Sequence, residues 1–213
     1  GAIVEASKNI VNANKESDET FLVRFISSDK IETVQEFTSD KRLLLNGLDS
    51  LYIEGGPTAV LDAIYLTAEH LAQRKSDAEQ LRRKDLILVT DGDDRSSFYT
   101  KDKVFRLLAS TDTQIFTIGF MTDLKPDQRE KAIKLLGQLA RETGGRTFFP
   151  RSALDVERIS TEIINDIRTQ YVIGYVPAAD SKNSVHKTVV SITQGANQEQ
   201  RAAITRVGYG PEK

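Results

Sequence analysis

Asp91, Asp93 and Asp94 stand on a turn that follows the apolar run Leu86-Ile87-Leu88-Val89-Thr90, and Thr58 follows the turn Gly55-Gly56-Pro57. Carboxylates and a hydroxyl are hard oxygen donors, suited to Mg²⁺, Mn²⁺ or Ca²⁺ rather than to softer metals. Imidazole is available only from His70 and His186, and the chain has no cysteine. Multi-histidine and thiolate metal sites, disulfides and thiol catalysis are therefore excluded.

The run from Leu86 to Thr90 is short and apolar on both faces, which predicts a central strand of a parallel sheet. In open α/β sheets, ligands bind beyond the carboxyl ends of the strands, so Asp91 is expected in that crevice. The segments around it alternate between helical and extended patterns. Ile3, Ala6, Ile10 and Ala13 recur at helical spacing. Residues 20–26 and 31–37 predict strands, and the polar residues Ser27 to Lys30 between them predict a hairpin. Asp40 can cap a helix carrying Leu43, Leu44, Leu48 and Leu51, and a helix from Thr58 places Leu61, Ile64, Tyr65, Ala68 and Leu71 on one stripe.

A helix after Thr100, a strand over 114–121 and a helix from Pro126 to the pair Gly144-Gly145 come next, then a short strand at 146–149. Ser152 and Asp155 form a capping-box pattern ahead of Val156, Ile159, Ile163 and Ile167. Beyond this, 171–176, 186–193 and 201–209 predict three strands without intervening helices. The expected organisation is an alternating α/β domain over 1–170 and an antiparallel β extension over 171–213.

The 213 residues carry a net charge of -2, which gives no electrostatic footprint for nucleic acid or an anionic membrane. No apolar run approaches the roughly 18 residues that span a bilayer. Gly1 opens within a helical pattern and reads as a cloning remnant, so the lack of a leader is uninformative about location.

Leu88-Val89-Thr90-Asp91-Gly92 resembles the strand end, and Gly55-Gly56-Pro57-Thr58-Ala59 the glycine-threonine loop, of von Willebrand factor type A (VWA) domains. The order of elements agrees over roughly residues 2 to 170. Arg168-Thr169-Gln170-Tyr171-Val172-Ile173-Gly174-Tyr175, with Arg206-Val207-Gly208-Tyr209, resembles the bacterial branch called VWFA-related Acidobacterial domains. The resemblance implies a doubly wound, Rossmann-like, mostly parallel sheet and a non-catalytic, adhesion-type function in a bacterial extracytoplasmic setting. It implies a metal-ion-dependent adhesion site in which Thr58 supplies a hydroxyl ligand and Asp91 a carboxylate, direct or through water. Mg²⁺ or another divalent cation would then receive an acidic side chain from a protein partner. Threonine also caps helices routinely, and both roles for Thr58 stand at this point.

One departure from the family pattern has structural consequences. The family's main ligands come from an Asp-x-Ser-x-Ser loop after the first, central strand, and this sequence carries neither. Asp94-Arg95-Ser96-Ser97-Phe98 is the nearest string, with phenylalanine in place of the last serine and in another part of the chain. The expectation is an N-terminally truncated VWA domain with an incomplete metal site and no tightly bound cation. Phe21–Ile26 and Leu86–Thr90 should then flank an unfilled strand position, a template for a homodimer or strand exchange.

The remaining residues read more plainly. Asp93, Asp94, Ser96 and Ser97 look like a polar loop, His70 is expected to be exposed, and Tyr171, Ile173 and Tyr175 to pack in a core or between domains. The enzymatic alternative is a Mg²⁺-dependent phosphotransferase or phosphatase of haloacid-dehalogenase type using Asp91 and Asp93. That fold places its nucleophile near the N-terminus, whereas here two strands and three helices come first. There is no Gly-x-Gly-x-x-Gly after a strand, no Walker loop and no Gly-x-Ser-x-Gly elbow.

Overall fold

The computed structural model describes residues 1–52, 54–74, 83–92, 94–171, 173, 189–193 and 202–206. Helices and strands alternate in the expected order: α1 (Ala2–Asn12), β1 (Thr20–Ser27), β2 (Lys30–Thr38), α2 (Lys41–Asp49), α3 (Val60–Gln73), β3 (Lys84–Thr90), α4 (Lys101–Thr111), β4 (Thr113–Gly119), α5 (Pro126–Thr143), β5 (Thr147–Phe148) and α6 (Ala153–Arg168). Local chemistry sets several boundaries. The Asp40 carboxylate accepts the Arg42 amide at the start of α2, and Ser152 and Asp155 close the capping box of α6. Pro126 opens α5, and Gly144 ends it at φ 81°, a left-handed conformation that glycine adopts without strain.

β3, β4 and β5 form a parallel sheet in which Lys84 pairs with Thr113 and Thr90 with Gly119. Strand periodicity then sorts the side chains between two layers. Leu86, Leu88 and Ile115 pack under α3, α4 and α5 with Val60, Ile64, Val104, Leu136 and Leu139. On the opposite face, Ile87, Val89, Phe116 and Ile118 meet Ala6 of α1 and Val156, Ile159 and Ile163 of α6. Complete burial of a side chain such as Ile118 stabilises the fold by about 1.5–3 kcal/mol. Helices on both faces make this a doubly wound α/β arrangement.

β1 and β2 form a separate antiparallel hairpin that turns at Ser28 and Asp29. Among the described residues, β1 pairs only with β2, and β3 pairs only with β4 and not with β1. The expected unfilled position is therefore present as a cleft of about 1110 Å³. As expected beside that position, β3 has an open edge, and its Ile87 and Val89 are only half-buried.

The starts of β1 and β3 lie at one end of the cleft. There Arg168 reaches the Ala13 carbonyl and lies 3.9 Å from Asp18, while the Gln170 amide donates to Asp85 at 3.3 Å. Burial pushes the Asp85 carboxyl above its ordinary range, opposed by the Gln170 hydrogen bond and the Arg83 charge. A carboxyl raised in the folded state favours folding fully below its unfolded pKa of about 3.9 and loses that contribution as pH rises through the folded value. Asp85→Asn is accordingly expected to melt above the parent at pH 7, with the difference disappearing as pH falls towards 4. Thermal melts across that interval check it.

The predicted strands of the tail fall largely outside the described residues. Residues 189–193 and 202–206 carry no regular secondary structure. Tyr171 is 91% and Ile173 71% exposed, contrary to the packing expected of them, and Tyr175 lies outside the described residues.

Candidate functional site

The carboxyl ends of β1 and β3 meet at the other end of the cleft. Thr90 is buried; its hydroxyl accepts the Gly92 amide at 3.3 Å, and its carbonyl accepts the Phe120 amide at 2.8 Å. Both bonds hold the turn that presents Asp91, which is exposed. Gly92 is buried against Thr58: a β-carbon there would stand 2.6 Å from the Thr58 hydroxyl oxygen. The contact places Thr58 beside the Asp91 turn, and a side chain at Gly92 would have to displace the Thr58 hydroxyl. On its other side the Thr58 loop rests on β1, where Gly56 lies against the Ile26 side chain. The two sequence-predicted ligands thus share one rim, while Asp93 lies outside the described residues.

α3 starts one residue later than a Thr58 cap would need. Ala59 occupies the cap position and supplies no side-chain hydrogen bond. The first amides of α3 are satisfied from another loop: Leu61 N–H donates to the Asp94 carboxylate and Asp62 N–H to the Ser97 hydroxyl, each at 3.2 Å. Ser97 in turn donates to Asp94. Ala59, and not Thr58, therefore holds the cap position of α3.

The same loops are laced together at further points. Arg95 N–H donates to the Thr58 carbonyl at 2.8 Å, Ser96 donates to the Pro57 carbonyl at 2.9 Å, and Ser28 donates to the Ser96 carbonyl. Asp62, 2% exposed, accepts the Phe98 amide at 2.9 Å and the Tyr99 amide at 2.7 Å. Asp94, Ser96 and Ser97 are structural fasteners of the rim rather than a merely solvated loop. The sequence signal for them is weak, because a cap supplied from so far along the chain leaves no local pattern.

Next to the fasteners, Tyr65 and Tyr99 stack with centroids 3.8 Å apart, and Lys103 lies 4.6 Å from the Tyr99 ring. Phe98 is 82% exposed. His70 is remote from the rim. It is half-buried rather than exposed, with its ring 5.4 Å from Phe37 and 5.0 Å from Phe21. His186 lies outside the described residues.

The donor set matches a hard divalent cation in kind and falls short in number. Thr58 and Asp91 offer one hydroxyl and one carboxylate, whereas Ca²⁺ takes about six to eight oxygens. The Asp94 oxygen that caps α3 is committed to Leu61 and Ser97. Among the described residues there is no group of three or more His, Cys, Asp or Glu placed to hold a metal ion.

A doubly wound sheet with an oxygen-bearing rim at its carboxyl ends defines an α/β domain of the ligand-at-the-strand-ends class. The family model of the von Willebrand factor type A domain matches residues 2–162, and the chain belongs to that family. No curated protein matches it in sequence. Solved structures share the fold at low identity. An aerotolerance-related membrane protein from Bacteroides fragilis is 16% identical with a TM-score of 0.55, over 77% of this chain and 87% of that one. A von Willebrand factor type A protein from Catenulispora acidiphila is 18% identical with a TM-score of 0.54, over 76% of this chain and 37% of its own. Proximal thread matrix protein 1 from the mussel byssus, described with a zinc-occupied MIDAS motif, is 14% identical with a TM-score of 0.58, over 76% and 41%. This chain thus spans less than half the length of the last two.

Family membership removes the basis for the haloacid-dehalogenase alternative. Asp91 follows β3, behind a hairpin and three helices, within the residues that the VWA family model matches. Among the described residues, no helix is long and apolar enough to cross a membrane.

Proposed function

We propose that this chain is a non-catalytic, adhesion-type protein-binding module in which Thr58 and Asp91 help hold a divalent cation, Mg²⁺ or Mn²⁺ being the natural choices. The observation that carries this reading is the Thr58 hydroxyl, released from helix capping and seated on Gly92 beside the exposed Asp91. A bound cation would offer an open coordination position to an acidic side chain of a partner protein. Exposed Phe98, on the loop fastened to the same rim, adds an apolar contact for that partner. Two protein ligands leave the site incomplete, and tight binding needs oxygen ligands from elsewhere in the intact protein.

Family membership and the likeness to a Bacteroides membrane protein support a bacterial extracytoplasmic setting. The open edges of β1 and β3 favour a homodimer or strand exchange where nothing else covers them.

Calorimetric titration tests the cation site. Mg²⁺ and Mn²⁺ are expected to bind with Kd on the order of 10⁻³ M, at the weak end for oxygen-ligand sites, and Asp91→Asn is expected to abolish the binding. Submicromolar affinity, or affinity indifferent to Asp91→Asn, would contradict the two-ligand site.

A further inference from the structure

We infer that Arg24 and Lys30 of the β1–β2 hairpin are positioning residues for the candidate ligand Thr58, acting through Glu54 at the root of its loop. The hairpin would then regulate the proposed cation site, a consequence that rests on the cation reading.

Alternate residues of β1 meet one stretch of chain in sequence order. A β-carbon on Gly47 would stand 3.3 Å from the Leu22 side chain. Arg24 comes next: its guanidinium carbon lies 4.0 Å from the centre of the Tyr52 ring, and it meets the Glu54 carboxylate at 3.1 Å. Gly56 then lies against Ile26, and Thr58 is two residues further on. The contacts at Leu22 and Ile26 are apolar and carry no direction. Gly55 has open space around it and gives the loop no stiffness of its own. The loop must therefore be held from outside, and the Arg24–Glu54 bond is the directional contact that holds it.

Glu54 is gripped through both carboxylate oxygens. Arg24 of β1 donates to one and Lys30 of β2 to the other. The second terminal nitrogen of Arg24 lies 3.8 Å from Glu32, its register partner on β2, which keeps the guanidinium aligned. The Arg24 side chain is only 13% exposed, so salt screens this pair less than a surface ion pair. The hairpin turn grips the far flank as well. Ser28 donates to the Ser96 carbonyl, Ser96 donates to the Pro57 carbonyl, and Arg95 N–H donates to the Thr58 carbonyl. Thr58 is thus suspended between two holds that both lead back to one hairpin.

Lys30→Met and Arg24→Met in the full chain test this, because two explanations predict opposite signs. Each variant removes a positive charge, so electrostatics alone would tighten Mn²⁺ binding. Loss of the hold on Glu54 weakens it instead. The Mn²⁺ Kd, read by NMR titration, is expected to rise about threefold in Lys30→Met and about tenfold in Arg24→Met. Lys30→Arg is expected to bind as the parent does. The Arg95 amide is expected to exchange faster in both methionine variants, while the Gly145 amide, bonded to Ala140 O at 2.8 Å, is unchanged. Exposed Lys30 keeps the test decisive if Arg24→Met fails to fold. Unchanged or tighter Mn²⁺ binding in Lys30→Met would overturn the inference. If the parent binds no Mn²⁺, the cation reading falls by itself, and the Arg95 amide decides: an unaltered exchange rate overturns the positioning role, and a faster one upholds it.

Discussion

Asp62→Ala is expected to destabilise the domain by about 2–4 kcal/mol, because it strips the acceptor from two loop amides at a position with no access for replacement water. The Asp62 carboxylate holds Phe98 N–H and Tyr99 N–H from inside the first turn of α3. Its own amide is held by Ser97, so the helix start and the loop grip each other in both directions. Losing the carboxylate frees the loop that caps α3 and that binds the carbonyls of Pro57 and Thr58. The effect should therefore reach the candidate ligand Thr58 without touching it. Asp62→Asn keeps one acceptor oxygen and turns a donor towards the other amide, which predicts an intermediate loss. Urea denaturation of the three proteins measures the series. A change within about 0.5 kcal/mol for the alanine variant would remove Asp62 from the account.

Gly145→Ala is expected to be at least as damaging, at about 3 kcal/mol or more. The added β-carbon would collide with the Ile115 carbonyl group, and backbone packed on backbone has no side-chain torsion to absorb the conflict. The surroundings hold the two segments in place: Gly145 N–H donates to Ala140 O at 2.8 Å, and Ile115 N–H donates to the Thr143 hydroxyl at 3.0 Å. Relief requires the end of α5 to lift from β4, which exposes part of the layer containing Ile115, Leu136 and Leu139. Gly144→Ala separates this clash from simple backbone preference. At φ 81° it meets the left-handed penalty of about 1 kcal/mol, and it should cost less than the neighbouring substitution unless Arg206, close by, cannot shift. Thermal or chemical denaturation ranks the pair, and the reverse order would contradict the close α5–β4 approach.

Much of the fold was legible because its signals are local. Pro126, Gly144 and the Ser152–Asp155 pair mark helix ends within a turn of their effects, and the structure keeps each of them. The strand Leu86–Thr90 was readable from composition, and the turn beyond it delivers Asp91 to the rim as expected. The vacant position beside β3 followed from the missing first strand of the family pattern. What could not be read depends on contacts between distant segments. Asp94 resembles any loop carboxylate until α3 is folded against it, and Asp62 resembles an ordinary acidic residue of a first helical turn. That Thr58 does not cap α3 was hidden for the same reason: the residues that satisfy its first amides lie in another loop. β5 shrinks from the expected four residues to two because its neighbours meet β4 through single contacts such as Thr117 N–H to Arg146 O.

The pairing of Thr58 with Asp91 at one cation-binding rim is tested most directly by Mn²⁺ titration followed by amide NMR. Paramagnetic broadening is expected first around residues 57–59 and 90–92, at millimolar concentrations in keeping with a two-ligand site, and is expected to vanish in Asp91→Asn. Broadening centred elsewhere, or unchanged by Asp91→Asn, would contradict the assignment of this rim as the binding site.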